Sequence, residues 1–401
     1  METSKKINLI NGRQIAIVGG GPGGLTLARL LQLKGADVKV YERDINQKAR
    51  VQGAIVDLHY NSGLKVLEAA SLMDAFKARY MQGADSFKLV DENADILLDD
   101  SFQSGRFTFG DEHFRPEIDR GALRDILIDS LLPGTVVWGS QLLNLSLVNG
   151  RWEMQFKNGT YASSDLVIGC EGYRSHIREY VTDIKSVYTG AAIIQGEIED
   201  PKTACPEIYS LLNNGNLMAT GPGKMLVVQP RGDGGLTFYA ASMYPDNWEK
   251  ISGIDFHRPA EVSGYLSNFY NGWHPAFHTL FSACSHYTYR PLLYHPLKQR
   301  WQTKPNITIL GDAAHLMPPN GEGVNLAMLD ALDLSDCLTN GVYQNIEYAL
   351  RAYEELMFAR ASPISEETVE GIEDFASPTK ESIQKLIQIF GDDENAWKDT
   401  K

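Results

Sequence analysis

The sequence has no apolar run of about 18 residues, so it offers no candidate for a membrane-spanning helix. Its opening stretch, METSKKINLINGRQ, is polar and lacks the apolar core of a secretory signal. Cysteine is scarce. Cys170, Cys205, Cys284 and Cys337 are the only four, and no two form a CxxC pair. That excludes a thiolate metal centre and a disulfide framework, and it fits reduced core residues of a cytoplasmic protein. The nine histidines include no HExxH, so no metal site is expected. Basic residues are in deficit, 37 Lys and Arg against 51 Asp and Glu, for a net charge of −14. Such a chain repels nucleic acid and anionic membrane, and neither is an expected partner. Internal repeats and low-complexity segments are absent as well. What remains is an ordinary globular composition over 401 residues, enough for two domains.

The most informative stretch is Ile15–Arg43, IAIVGGGPGGLTLARLLQLKGADVKVYER. Ile15–Val18 is a short β-branched run suited to a strand buried on both faces. Gly19, Gly21 and Gly24 follow at GxGxxG spacing. The first lets the chain turn, the second leaves no side chain before a pyrophosphate, and the third lets helix and strand approach. Leu25, Ala28, Leu30 and Leu31 give a helical apolar face that Gly35 ends. Val38–Tyr41 is the next strand, and Glu42 stands at its carboxyl end, where a ribose hydroxyl is held in such units. A helix N-terminus contributes about 0.3–1 kcal/mol to a partly exposed anion. A hydrogen bond to a carboxylate contributes about 1.5–3 kcal/mol, so Glu42 is the stronger anchor. The competing reading is a glycine-rich turn with no ligand.

Further along, Leu64–Tyr80 has helical periodicity, and Phe87–Val90 with Ile96–Leu98 reads as a hairpin. Asp119 caps a helix over 121–132. Asp165–Cys170 is another buried strand, followed by Glu171-Gly172 and helical signal over 175–181. From Val187 to Ala241 longer alternating strands separated by glycine turns indicate an antiparallel sheet. Residues 326–338 form a helix, about 345–375 a long one bent at Pro363, and 379–389 a last one. Between them lies ITILGDAAHLMPPNGEGVN, residues 307–325. A buried strand there delivers Asp312 to the ligand edge of the sheet. Pro318, Pro319, Gly321 and Gly323 keep the following loop tight, and the next helix points its positive end at the crevice.

Three motifs in this order, GGGPGG, DLVIGCEG-YRSHIR and GDAAHLMPPNGEGVN, resemble the single-component FAD-dependent aromatic hydroxylases of the para-hydroxybenzoate hydroxylase type. The resemblance covers nearly the whole chain. VYERD at Val40–Asp44, DLH at Asp57–His59, PEI-x-R-x-x-LR at Pro116–Arg124 and DALxLSD at Asp330–Asp336 narrow it to the TetX-type monooxygenases that inactivate tetracycline. It implies an α/β fold: a Rossmann-like FAD-binding domain, an inserted antiparallel-sheet substrate domain and a long C-terminal helix. The expected bounds are 12–70, 97–183 and 284–341 for the FAD-binding domain, 71–96 and 184–283 for the substrate domain, and 342–390 for the C-terminal helical segment. The resemblance places FAD against Gly19, Gly21, Gly24, Glu42, Arg43, Asp57, Arg120, Asp312, Gly323 and Asn325. It places NADPH at Arg50 and substrate at Gln195, Thr237 and Pro318.

The chain departs from the TetX-type pattern at identifiable positions. Their arginine after Asn-Gly-Asn is missing, because Asn216 runs into Leu217, and their strand histidine is Thr237. A wall of Ile193, Leu217, Met218, Phe238 and Met243 is expected, poor in charge and suited to a neutral or weakly acidic fused-ring phenol or enol. No second GxGxxG exists, so NADPH is expected to visit the flavin transiently. No catalytic triad is present or needed, since the chemistry belongs to the cofactor. The expected protein is a monomeric, cytoplasmic, FAD-dependent monooxygenase using NADPH and O₂, acting on tetracycline antibiotics. The alternatives are a generic aromatic or polyketide hydroxylase, or a non-catalytic flavoprotein that sequesters drug.

Overall fold

The computed structural model describes residues 8–49, 54–100 and 107–391. Gln14–Val18 is the centre strand of a five-stranded parallel sheet. It pairs with Leu166–Gly169 on one side and Asp37–Tyr41 on the other. Ile307–Ile309 and Val136–Val137 form the two edges. Ile15, Ile17, Leu166, Ile168, Ile307 and Ile309 are all buried, as a parallel sheet covered on both faces requires. The helix Pro22–Leu33 opens with proline in its first turn and buries Leu25, Leu27 and Leu31. Each such side chain contributes about 1.5–3 kcal/mol on burial. This helix lies against Glu322–Thr339, so the first and last motifs meet through their helices.

A second sheet has seven strands, in the spatial order 286–294, 187–198, 236–243, 224–230, 216–221, 87–90, 96–99. All neighbours are antiparallel except 216–221 with 87–90. One face carries Ile194, Leu217, Val228 and Phe238 and packs on the helices Pro206–Leu212, Pro259–Phe269 and Pro275–Ser282. On the other, Ile193, Met225 and Ala241 pack on Ile372 and Ala376 of the C-terminal region.

Several sequence expectations need correction. The periodicity over 64–80 is broken into the π-turn Tyr60–Leu64 and the short helices Lys65–Ala69 and Met73–Lys77. Ser71 sits at φ 58°, which no right-handed helix can contain. The helix expected from residue 326 starts at Glu322, where Asn320 Oδ1 accepts the Glu322 N–H at 3.0 Å. The long helix Ile346–Glu370 runs through Pro363, and Ile372–Ala376 is separate from it. Over 175–181 only Arg178–Val181 is α-helical. The strand 286–294 belongs by hydrogen bonding to the seven-stranded sheet. Among the described residues no helix is long and apolar enough to cross a membrane.

Candidate active site

The first strand ends in a turn built from steric necessity. Gly19 has φ 109°, and a Cβ there would collide with the carbonyl of Cys170 on the adjacent strand. At Gly24 a Cβ would strike the Gly19 carbonyl, and at Gly23 it would meet Leu310 and Ala327. Gly21 is different: a Cβ there meets nothing within 4 Å. The turn therefore leaves open space at the residue where a pyrophosphate would lie on the helix N-terminus.

Glu42 is buried, and both of its oxygens are engaged. Oε2 accepts the Gly20 N–H at 2.6 Å, and Oε1 accepts the Asp44 N–H at 2.9 Å. Arg124 braces the same turn, donating to Gly20 O at 3.1 Å and Gln47 O at 3.0 Å. A carboxylate has about four lone-pair positions, so two remain for a ribose. Arg43 is exposed beside it, and Arg50 lies outside the described residues.

The third motif presents Asp312 at the end of the strand Ile307–Ile309. The turn below it is locked from two sides. Asp330 accepts the Gly311 N–H at 3.0 Å, approaches His315 Nε2 at 2.6 Å and pairs with Arg360 at 2.7 Å. Arg178, from the middle motif, donates to the carbonyls of Ala313 and Ala314 at 2.9 and 3.1 Å. Burial alone would strip the His315 proton, but the charge and hydrogen bond of Asp330 prevail and raise its pKa. The Asp312 carboxylate itself has no hydrogen bond or ion pair among the described residues. The surrounding protein raises its pKa, against the charges of His315 and Arg120. Arg120 follows the capping Asp119, is exposed, and is in no ion pair among the described residues.

The loop after this turn is held by side chains. Asn325 is fully buried. Its Oδ1 accepts from His59 N, Ser62 Oγ and Gly63 N, and its Nδ2 donates to Asp57 O and Gly321 O. The side chain is thus committed to the protein, and its backbone is what remains to offer a cofactor. His59 lies between Asp57 Oδ2 at 2.7 Å and Glu322 Oε1 at 3.3 Å. Burial lowers its pKa, but both hydrogen bonds and the charge of Asp57 raise it to about 9 against Arg115. Pro318 is buried, and Gly323 is half-buried beside Asp312.

Gln195 and Thr237 share the inner face of the seven-stranded sheet, where Gln195 pairs with Tyr239 and Glu197 with Thr237. Thr237 is wholly buried, and its hydroxyl has no partner. The half-buried row Tyr239, Val227 and Met218 adjoins Gln195. The expected wall is corrected here. Ile193, Met218 and Met243 are on this face, whereas Leu217 and Phe238 point into the helical layer behind. Nor is the face poor in charge: Arg290 stands on it, opposite Ile193, and donates to Gln195 Oε1 at 2.6 Å. Sequence reading missed Arg124, Tyr239 and Arg290. For Arg290 the only local signal is an arginine in an alternating strand. Glu117 is also buried at this border, with Oε2 unpartnered and its pKa raised by burial and by Asp57.

The spacing HxxxH occurs once, at His274 and His278. His274 Nδ1 instead accepts the Ala276 N–H and caps a helix. Among the described residues no group of three or more His, Cys, Asp and Glu is placed to hold a metal.

The FAD binding domain family matches residues 13–103 and 293–368. The 3-amino-4-hydroxybenzoate 2-monooxygenase of Streptomyces cremeus is 28% identical over 371 residues, covering 91% of this chain and 88% of that protein. Monooxygenase asqM of Emericella nidulans is 26% identical over 424 residues, covering 88% and 94%. Among solved structures, Klebsiella pneumoniae HpxO complexed with FAD and uric acid has a TM-score of 0.75 at 20% identity, covering 96% of this chain and 94% of that one. Tetracycline destructase Tet(55) has a TM-score of 0.72 at 19% identity, covering 94% of each. The fold is that of para-hydroxybenzoate hydroxylase-like monooxygenases, with a parallel FAD-binding sheet, added antiparallel sheets and C-terminal helices. The chain is a flavin-dependent monooxygenase. FAD fits the residues present: open space at Gly21, an unpartnered carboxylate at Asp312 and an unpaired cation at Arg120. The flavin supplies the redox and oxygen chemistry when bound.

Proposed function

We propose that the protein hydroxylates an electron-rich phenolic or enolic ring, with NADPH as reductant and O₂ as oxidant. In this reading FAD lies along Gly19, Gly21 and Gly24, with Glu42 and Arg43 at the adenosine end. Arg120, Asp312 and Asp57 lie towards the flavin, with the backbone of Gly323 and Asn325. Arg50 meets NADPH during a brief visit. Gln195, Thr237 and Pro318 surround the substrate. The enzyme works as a cytoplasmic monomer.

The observation that carries this reading is the pairing of two walls. The Arg120 charge acts on the Asp312 carboxylate and on the Tyr239 hydroxyl of the second sheet. This supports a cofactor edge and a substrate wall near one another, which a protein that merely stores flavin would not need. The inner-face row from Gln195 across Tyr239 and Val227 to Met218, the last three half-buried against the cluster that contains Ile372 and Ala376, supports a fused-ring substrate. Tetracycline-type antibiotics are the first candidate, a reading supported by the shared motifs and by the fold likeness to Tet(51) and Tet(55). Smaller hydroxyarenes are the second, favoured by relatives named for 3-amino-4-hydroxybenzoate and 6-hydroxynicotinate.

Mass spectrometry of tetracycline incubated with enzyme, FAD, NADPH and air tests the finer reading. A product heavier by one oxygen supports it. Unchanged tetracycline alongside a hydroxylated simple phenol moves the enzyme to the smaller substrates. NADPH oxidation that no phenol or enol stimulates would overturn the hydroxylase reading.

A further inference from the structure

We propose that Arg290, aimed by Gln195, pairs an acidic group on the substrate, so that the ring is recognised as an anion. This rests on the reading of the crevice as a phenol or enol hydroxylase.

Arg290 stands on the edge strand His286–Tyr294 and shares the inner face with Ile193, Gln195 and Tyr239. Its Nε donates to Gln195 Oε1 at 2.6 Å. Gln195 is 6% exposed, and its Nε2 donates to Glu197 Oε1 at 3.2 Å. The amide has one workable orientation, because the reverse would set its NH₂ against the guanidinium and its oxygen against a carboxylate. Gln195 therefore fixes the direction of Arg290 from a buried position. Besides lying beside the substrate, it acts through the arginine.

The remaining guanidinium edge is free. Neither terminal nitrogen of Arg290 has a hydrogen bond or ion pair among the described residues, and the side chain is exposed. Glu197, two residues from Gln195 on this face, is already met by Arg231 Nη1 at 3.7 Å and by Gln195. In a chain of net charge −14, a cation left without a carboxylate on a binding face is notable electrostatically. Tyr239, half-buried beside Gln195, lies within electrostatic reach of both Arg290 and Arg120. Arg290 thus stands at the edge-strand end of this face. A planar fork there suits a carboxylate or an ionised enol bidentately.

The test is calorimetric titration of the full-length, FAD-loaded protein with a hydroxynaphthoate and with the naphthol that lacks its carboxylate. The proposal expects the acid to bind at least about tenfold tighter than the naphthol, as a charge-assisted pair implies. Arg290→Gln abolishes that preference at unchanged FAD content, and Arg290→Lys keeps part of it. Gln195→Leu lowers the acid-to-naphthol ratio, which a merely structural role would leave unmoved. Acid binding that is absent or no tighter than naphthol binding overturns the proposal. So does a preference that survives Arg290→Gln. Because binding is read without turnover, an intact preference with no hydroxylated product would sink the functional reading alone.

Discussion

The Glu42 carboxylate accepts the Gly20 N–H at 2.6 Å, tying the end of the second strand to the glycine turn of the first. Both groups are buried, and Arg124 Nη2 is 4.0 Å from the same oxygen. Glu42 is therefore a building element of the turn before it is a ligand. Glu42→Ala leaves a buried amide and a buried guanidinium short of a partner, at a cost of about 1–3 kcal/mol. The expected result is a lower melting temperature of the flavin-free protein as well as weaker FAD binding. Loss of FAD affinity with unchanged flavin-free stability would show that the turn holds without it.

Gly21 and Gly24 separate ligand effects from folding effects. Gly21 has φ −82° and ψ 177°, which alanine adopts freely, and its Cβ meets no protein atom. Gly21→Ala should fold at wild-type stability and lose FAD affinity. Gly24→Ala should destabilise the protein itself, because its Cβ strikes the Gly19 carbonyl. Melting curves of the flavin-free proteins and FAD titrations, read together, check both.

Asp312 is a carboxylate that the protein positions and leaves unpaired. Asp312→Ala should keep the fold, since no described residue depends on its hydrogen bonds, and should weaken FAD binding by about tenfold or more. An unchanged flavin dissociation constant would remove Asp312 from the cofactor site.

His59 bridges Asp57 and Glu322 and so fastens the motif loop to the strand Ile55–Asp57. Its pKa is raised from 6.5 to about 9. The folded protein then holds a proton that the unfolded chain releases earlier, so stability falls as pH rises. The contribution is complete below 6.5 and lost through about 9. The melting-temperature gap between wild type and His59→Gln should be widest on the acid side of that window and close on the alkaline side. A gap independent of pH would mean that His59 is neutral in the folded protein.

The nucleotide turn was legible because local sterics dictate it. Gly24 is required by a backbone collision within the βαβ unit and Gly19 by the Cys170 carbonyl beside it, while Asp312 stands at the end of a buried strand. The inner face of the second sheet was less legible. Side chains alternate with a period of two, so Leu217 and Met218, adjacent in sequence, face opposite layers. The Arg290–Gln195 bond spans 95 residues and exists only because two strands pair. The expectation of a neutral or weakly acidic substrate followed from the missing arginine near Asn216, and no local pattern announced a cation arriving from the opposite edge. The break at Ser71 was hidden for a related reason: helical periodicity records apolar spacing and is blind to one left-handed residue.

The proposed activity is insertion of one atom of O₂ into a phenolic or enolic ring. The direct measurement is mass spectrometry of the product formed under isotopically labelled O₂ with FAD-loaded enzyme, NADPH and a phenol or enol that stimulates NADPH oxidation. One heavy oxygen in the product is the predicted result. A product carrying oxygen from water, or NADPH oxidation that yields only peroxide with every such compound, would contradict it.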